Sequence, residues 1–235
     1  MKTRRKFLIQ GGMAATALLA VNPFEAFSGN TSLVNFSGNG TSLMLLHTGN
    51  VNSNSHYLKT TSQIAALKNE NRNVMLVNAG EEMPERMQHI NFDVSSAPEG
   101  DALHNKGDYR IMYKGDIKIG VITAGATSVA ADPVAIVNKL SAWLKKEKNC
   151  DLVVCLSQLG YKNNNSADDL TLAARSKNLD IIIGGNSKKI SPAPVIALNS
   201  NNEEVILHYA DALETGLGKI AIGFNRQKQK NSIAF

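Results

Sequence analysis

Four short stretches of this chain carry residue types that could do chemistry together. Gly49–Asn54, Gly80–Glu81, Ser157–Gln158 and Gly184–Lys188 each follow an apolar run and turn polar at once. Glycine lets a backbone turn sharply and lie close to a ligand. Corners of this kind at adjacent strand ends converge on one polar pocket, where open α/β sheets place their ligands. The side chains on offer are Asn50, Asn52, Glu81, Gln158, Asn186, Ser187 and Lys188, with Lys189 next in line. Such a set suits an anion: Asn186, Ser187, Lys188 and Lys189 could hold phosphate through backbone N–H groups and ammonium charge. The plain alternative for the two lysines is a solvated loop. Metal catalysis is poorly served. A pair of catalytic cations requires carboxylate and imidazole donors, whereas Asn and Gln are weak neutral donors and Lys188 repels a divalent cation. The histidines at 47, 56, 89, 104 and 208 fall outside the corners, and His47 reads as a satisfied strand-end residue.

The elements that must position these corners alternate strand and helix. Leu43–His47, Val74–Val77, Leu152–Leu156 and Asp180–Ile183 are short apolar runs bounded by turn residues, which marks buried strands. Residues 57–70 repeat apolar positions at helical spacing. Ile90–Val94 is a weaker strand. Tyr109–Tyr113 and Ile117–Thr123 flank Lys114-Gly115-Asp116, a hairpin signal. Asp132-Pro133 opens a helix, with the acid at the cap and proline in the first turn, and Lys145, Lys146 and Lys148 read as its solvated end. Ser166 caps a further helix to about Lys177. Val195–Leu198 and Val205–Tyr209 form a second hairpin, and Leu217–Phe224 closes the domain. The pattern predicts an α/β fold with mixed β-sheets and flanking helices.

Residues 1–27 read as an export signal and 28–41 as a Ser/Asn/Gly-rich linker. The folded domain is expected over 42–226, followed by a polar tail at 227–235. Thr3-Arg4-Arg5-Lys6-Phe7-Leu8 resembles a twin-arginine signal, carried by Arg4 and Arg5. Four of the 25 basic residues lie in the first six positions, so the net charge of +5 belongs mainly to the leader. That argues against a nucleic-acid partner. Contact with a membrane is expected only through an uncleaved leader. The two cysteines, Cys150 and Cys155, are spaced C-x4-C, which excludes a Cys-x-x-Cys zinc knuckle and reads as two buried thiols.

The order of the corners resembles the metallophosphatase (calcineurin-like) domain of the 5′-nucleotidase family. Leu45–Asn52 stands where that family has L-H-T-N-D-x-H, and Leu76–Glu81 where it has L-x-D-A-G-D. Leu156–Tyr161 matches L-S-H-L-G-Y, and Leu179–Lys188 matches D-L-I-I-G-G-H-[ST]-H. The resemblance runs from about Ser42 to Phe224 and implies a metallophosphoesterase-like sandwich with a two-metal phosphoric ester hydrolase site. The chain departs from it at the ligands. Asn50, Asn52, Glu81, Gln158, Asn186 and Lys188 occupy the ligand positions, and the segment after the second strand is missing, since Glu81 and Asn91 are only ten positions apart. The expectation is an exported, catalytically inactive relative with no catalytic residues and no metal cofactor, binding a small anion or a protein partner. The alternative is a metal-dependent phosphoesterase with altered ligands, in which Glu81, with Asp93 or a histidine, helps hold two divalent ions.

Overall fold

The computed structural model describes residues 41–49, 54–80, 87, 89–96, 109–125, 132–162, 167–185, 193–210 and 216–235. The expected export signal, with Arg4 and Arg5, and the linker up to residue 40 lie outside the described residues. Two sheets pack face to face. The five-stranded sheet has the order β11-β10-β1-β2-β3, built from β1 (Ser42–Thr48), β2 (Val74–Asn78), β3 (Val94–Ser95), β10 (Leu217–Phe224) and β11 (Lys230–Ala234). The six-stranded sheet has the order β4-β5-β6-β7-β9-β8, built from β4 (Tyr109–Lys114), β5 (Ile117–Ala124), β6 (Leu152–Ser157), β7 (Ile181–Gly184), β8 (Val195–Leu198) and β9 (Glu204–Tyr209). Three helices flank them: α1 (Asn54–Glu70), α2 (Pro133–Lys146) and α3 (Asp169–Arg175).

The apolar residues sort into three layers by the two-residue alternation of each strand. Leu43, Leu45, Met75, Val77, Val121, Val154, Ile181, Ile183 and Ile220 fill the gap between the sheets. Ile122, Val153, Cys155, Ile182 and Leu207 face the other way and bury the inner faces of α2 and α3. Leu46 and Leu76 bury Ile64 and Leu67 of α1 on the outer face of the five-stranded sheet. The result is the mixed α/β sandwich that the strand patterning predicts. No helix among the described residues is long and apolar enough to cross a membrane. Cys150 and Cys155 are free and buried, and burial pushes both thiols up, away from reactivity.

Local chemistry sets several boundaries. The β4–β5 hairpin turns at Gly115, whose φ of 61° suits glycine, and a side chain there would also collide with the Asn73 amide. Asp132 caps α2 by accepting from Val134 N at 3.0 Å. The helix expected from Ser166 is shorter than its pattern: Asp168 is the cap, accepting from Thr171 N, and the helix stops at Arg175. The strand expected over Ile90–Val94 reduces to Val94–Ser95, because Ile90 N and Phe92 N donate to local carbonyls, those of Met87 and Ile90, and the chain meets β2 only from Asp93, whose N–H reaches Leu76 O. Residues 227–235 are not a tail beside the domain. Lys230–Ala234 forms β11 and pairs antiparallel with β10 after a turn held by Asn225.

Polar pins join the two sheets. Asp180, at the start of β7, accepts from Val153 N at 2.7 Å and pairs with Lys145 of α2 at 2.8 Å and Lys230 of β11 at 2.5 Å. Burial opposes ionisation of Asp180, but the two ammonium groups hold its carboxyl below the ordinary value. Lys145 is thus a partner of the core rather than part of a solvated helix end, and Lys148 lies over the Trp143 ring. At the other edge Asp93 pairs with Lys114 of β4 at 2.7 Å. Removing Asp180 leaves a backbone N–H and two ammonium groups without their acceptor. Asp180→Ala is expected to lower stability by about 2–3 kcal/mol in urea unfolding, with Lys230→Met costing less because only the inter-sheet contact is lost.

Candidate functional site

Strands β1 and β2 run parallel, as do β5, β6, β7 and β9, and their C-terminal ends meet at one end of the sandwich. The closest approach is between backbones. A Cβ on Gly185 would lie 1.5 Å from the Ala79 carbonyl oxygen, so the corner after β7 rests on the corner after β2. A Cβ on Gly49 would touch the Gly185 carbonyl at 3.5 Å, which brings the β1 corner to the same place. Backbone bonds stitch the rest: Ala79 N donates to Thr48 O, Gln158 N to Ala124 O and Gly185 N to Ser157 O. Three of the four expected corners are therefore in contact through glycine or alanine backbone. The fourth, after β6, reaches them through Gln158.

The described side chains at this end are mostly neutral and mutually bonded. Thr48 Oγ1 donates to Asn78 Oδ1 at 2.9 Å, and Gly80 N donates to the same oxygen at 3.2 Å. Asn78 Nδ2 donates to Ser95 Oγ, and Ser96 Oγ donates to Asn78 O. Gln158 Nε2 donates at 3.4 Å both to Gly80 O and to Ser96 O. Beneath β6, Asp169 accepts from the hydroxyls of Ser157 and Tyr209, each through a different carboxylate oxygen. Tyr209 lies over Gly184, where a Cβ would penetrate its ring. Burial raises the Asp169 carboxyl to about 6, although both hydroxyl bonds work against that rise, and the same carboxylate together with burial drives the Tyr209 phenol well above its usual range.

Between the sheets at this end, His47 Nε2 lies 2.6 Å from His208 Nδ1. His47 is fully buried, and its Nδ1 has no hydrogen-bond partner among the described residues. It is not the satisfied strand-end histidine expected from sequence. Burial first, and His208 second, hold its imidazole well below the ordinary histidine range.

Of the sequence-predicted site residues, Gln158 is described and sits among the converging corners. Asn50, Asn52, Glu81, Asn186, Ser187, Lys188 and Lys189 lie outside the described residues. The donor set tests the fit of a metal. At the position of Gln158 the amide nitrogen is turned to two backbone carbonyls at 3.4 Å. Asp93 cannot join a metal site from where it stands, because one carboxylate oxygen holds Lys114 and the other holds Leu76 N. Among the described residues, no group of three or more His, Cys, Asp or Glu could hold a metal ion. The Asn78–Thr48–Ser95 group, the Ser157–Asp169–Tyr209 group and the His47–His208 pair were missed by pattern reading. Only the placement of His47 one residue before a polar corner, and of Tyr209 at the end of β9, hinted at them.

Solved structures share this arrangement of sheets and corners. A 5′-nucleotidase precursor from Thermus thermophilus superposes with a TM-score of 0.64 at 17% identity, over 83% of this chain and 54% of that one. The fold is that of a metallophosphatase domain. The NAD nucleotidase of Haemophilus influenzae matches with a TM-score of 0.64 at 14% identity, over 83% of this chain and 49% of that chain. A putative 5′-nucleotidase from Staphylococcus aureus matches with a TM-score of 0.55 at 11% identity, over 83% and 53% of the two chains. The metallophosphatase-like chain thus spans about half the length of these structures. No family model matches it, and neither does any curated protein sequence.

Two outcomes follow from this geometry. Gly185→Ala forces a side chain into the Ala79 carbonyl, so thermal unfolding should show a loss of at least ~2 kcal/mol, as for other overpacked sites. Burial raises the Asp169 carboxyl to about 6 in the folded protein, above the ordinary carboxylate value of about 3.9. The native state therefore binds more protons across that window, and the Asp169 contribution falls by roughly 3 kcal/mol as pH rises from about 4 to above 6. Comparing the wild type with Asp169→Asn by urea unfolding at pH 4.5 and 7.5 should show the variant lacking that fall.

Proposed function

We propose that this protein is an exported, catalytically inactive metallophosphatase-like domain of the 5′-nucleotidase type that binds an anion or a protein partner without metal-dependent hydrolysis. The observation that carries this reading is the state of Gln158. A two-metal phosphoesterase needs charged and imidazole donors converging on its ions. Here the described part of the site is closed by amides and hydroxyls bonded to one another and to backbone carbonyls. The sequence continues the same chemistry in Asn50, Asn52, Asn186 and Lys188, with Glu81 as the one carboxylate. In the sequence, Lys188 and Lys189 beside Asn186 and Ser187 offer the charge and polar groups that suit a phosphate-sized anion. Export rests on the leader-like residues 1–27 with Arg4 and Arg5, and on the word precursor in the name of the Thermus protein.

The test uses the purified mature protein. Metal analysis for Mn, Zn, Fe and Ca, together with phosphatase assays on nucleotides and on a generic phosphoester, should find no stoichiometric metal and no turnover after metal addition. Stoichiometric metal with turnover abolished by Glu81→Ala would overturn the reading in favour of a working phosphoesterase. A thermal-shift titration with inorganic phosphate should raise the melting temperature in the wild type and not in Lys188→Ala. No shift in either would move the proposed ligand from an anion to a protein partner.

A further inference from the structure

Strand β4 is an outer strand of the six-stranded sheet, and the function proposed above makes no use of it. Its side chains alternate between two faces. On the inner face Met112 packs between the sheets, Arg110 Nη1 donates to Asp93 O at 3.0 Å, and Lys114 pairs with Asp93. Tyr109, Ile111 and Tyr113 fall on the other face, beside α2, where Ile111 is half-buried. Gly120 of β5 pairs with Ile111, and a Cβ there would lie 2.8 Å from Leu144 Cδ1, so α2 sits close over this side of the sheet. That brings Trp143 against Tyr109, with ring centroids 4.7 Å apart. Lys148 Nζ lies 4.5 Å from the Trp143 centroid, Lys118 Nζ donates to Lys148 O at 2.6 Å, and the same ammonium lies 5.8 Å from the Tyr113 centroid. An arc of contacts thus runs from Tyr109 to Tyr113, with Ile111 on the strand between its ends.

We propose that this edge takes an extended acidic peptide, added beside β4 as a seventh strand, with carboxylates four residues apart that meet Lys118 and Lys148. No strand among the described residues pairs with the outer edge of β4. The backbone of an edge strand is a template for another strand. The face beside that edge carries the ammonium groups of Lys118 and Lys148, and neither is in an ion pair among the described residues. Asp151, which takes the Lys118 N–H through Oδ2, and the exposed Glu147 are the carboxylates next to them. Lys118, Lys146 and Lys148 outnumber these two, so the face is positive on balance. Side chains of an added strand opposite Tyr109, Ile111 and Tyr113 share one face, because the strand period is two. A Glu opposite Tyr109 falls beside Trp143 and Lys148, a Glu opposite Tyr113 falls beside Lys118, and the residue midway covers Ile111.

The same geometry disfavours other anionic partners. Nucleobases and sugars stack on free aromatic faces. Here Lys148 and Lys118 already lie over the Trp143 and Tyr113 rings, and Tyr109 meets Trp143 edge on, with planes at 61°. An anionic bilayer gains by burying exposed apolar side chains. On this face the large exposed ones among the described residues are Tyr109 and Tyr113 alone, 40% and 62% exposed. A peptide strand returns main-chain hydrogen bonds along the whole edge, which a bilayer cannot do. Lysine on an edge strand ordinarily keeps other strands away. In β4 the two basic side chains are engaged on the inner face, Arg110 and Lys114 both at Asp93, and take no part in the proposed contact. The surface lies on β4 and α2, so it does not depend on what the corners bind.

The experiment titrates the ¹⁵N-labelled full chain with the end-capped peptide Thr-Glu-Thr-Val-Thr-Glu-Thr. Its sequence reads the same in both directions and so serves either sense of pairing. Amide shifts should move at Tyr109–Lys114 and its flanks, while β8, the strand at the opposite edge of the same sheet, stays unchanged. Binding should weaken with added salt. It should fall about threefold in Lys148→Gln and about tenfold when Lys118→Gln is combined with it. The peptide with both Glu replaced by Lys should not bind the wild type, a control that needs no variant to fold. Equal binding of the Glu and Lys peptides, shifts at β8 in place of β4, or no binding of the Glu peptide would each overturn the proposal. Capture of the chain by vesicles of phosphatidylglycerol and phosphatidylcholine, lost in the double variant while the peptide leaves β4 unmoved, would overturn it in favour of a membrane surface.

Discussion

The contact between Gly185 and the Ala79 carbonyl is the constraint on which this end of the molecule depends. No side chain fits between them, so the six-stranded and five-stranded sheets can bring β7 and β2 together only with glycine at that place. That approach fixes the separation of the sheets where the corners lie. Once it is fixed, Gly49 falls against Gly185, and Gln158 falls within reach of Gly80 and Ser96. A close backbone approach also makes polar groups hard to hydrate, so each must find a partner inside the protein. The hydrogen-bonded groups around Asn78 and Asp169 follow from that requirement. They are the way this sandwich closes the end where its parallel strands stop together.

The opposite end is held by different physics. Asp180 gathers two ammonium groups and a backbone N–H at the start of β7, and in doing so ties β11 and α2 to the six-stranded sheet. Charge is tolerable there because the lysines keep about a quarter of their side chains in water. At the corner end the described groups are hydroxyls, amides and a carboxyl raised to about 6 by burial. The sandwich is thus pinned by ion pairs at one end and by mainly neutral hydrogen bonds at the other.

Much of this was legible from the chain. Runs such as Leu152–Leu156 have no reading in water other than strands buried on both faces, and Asp132-Pro133 announces a helix start by its own chemistry. The glycines at 49, 80, 184 and 185 marked the corners correctly because close backbone approach leaves a residue-type signature. What the sequence hid were long-range partnerships. Residues 227–235 read as a polar tail because Lys230, Asn231 and Ser232 are polar. They form a strand because Lys230 has a buried carboxylate to meet and β10 offers an open edge. Ser166 looked like a helix cap, but Asp168 won the position by accepting from Thr171 N. His47 looked satisfied because the reading saw the strand and not His208, 161 residues away.

The nature of the described corner side chains bears on how this end of the sandwich is held together. Carboxylates clustered to hold cations repel one another when the cations are absent, and a site built that way is closed by its metal. Amides and hydroxyls behave differently, since each can donate as well as accept. Asn78 does both at once, taking two N–H or O–H groups on one end and giving an N–H to Ser95 from the other. Gln158 turns its amide nitrogen to the carbonyls of Gly80 and Ser96, which follow two different strands. The described amides and hydroxyls at this end therefore hold one another without mutual charge repulsion. Among the described residues, the corner end of this sandwich is closed by its own side chains and backbone.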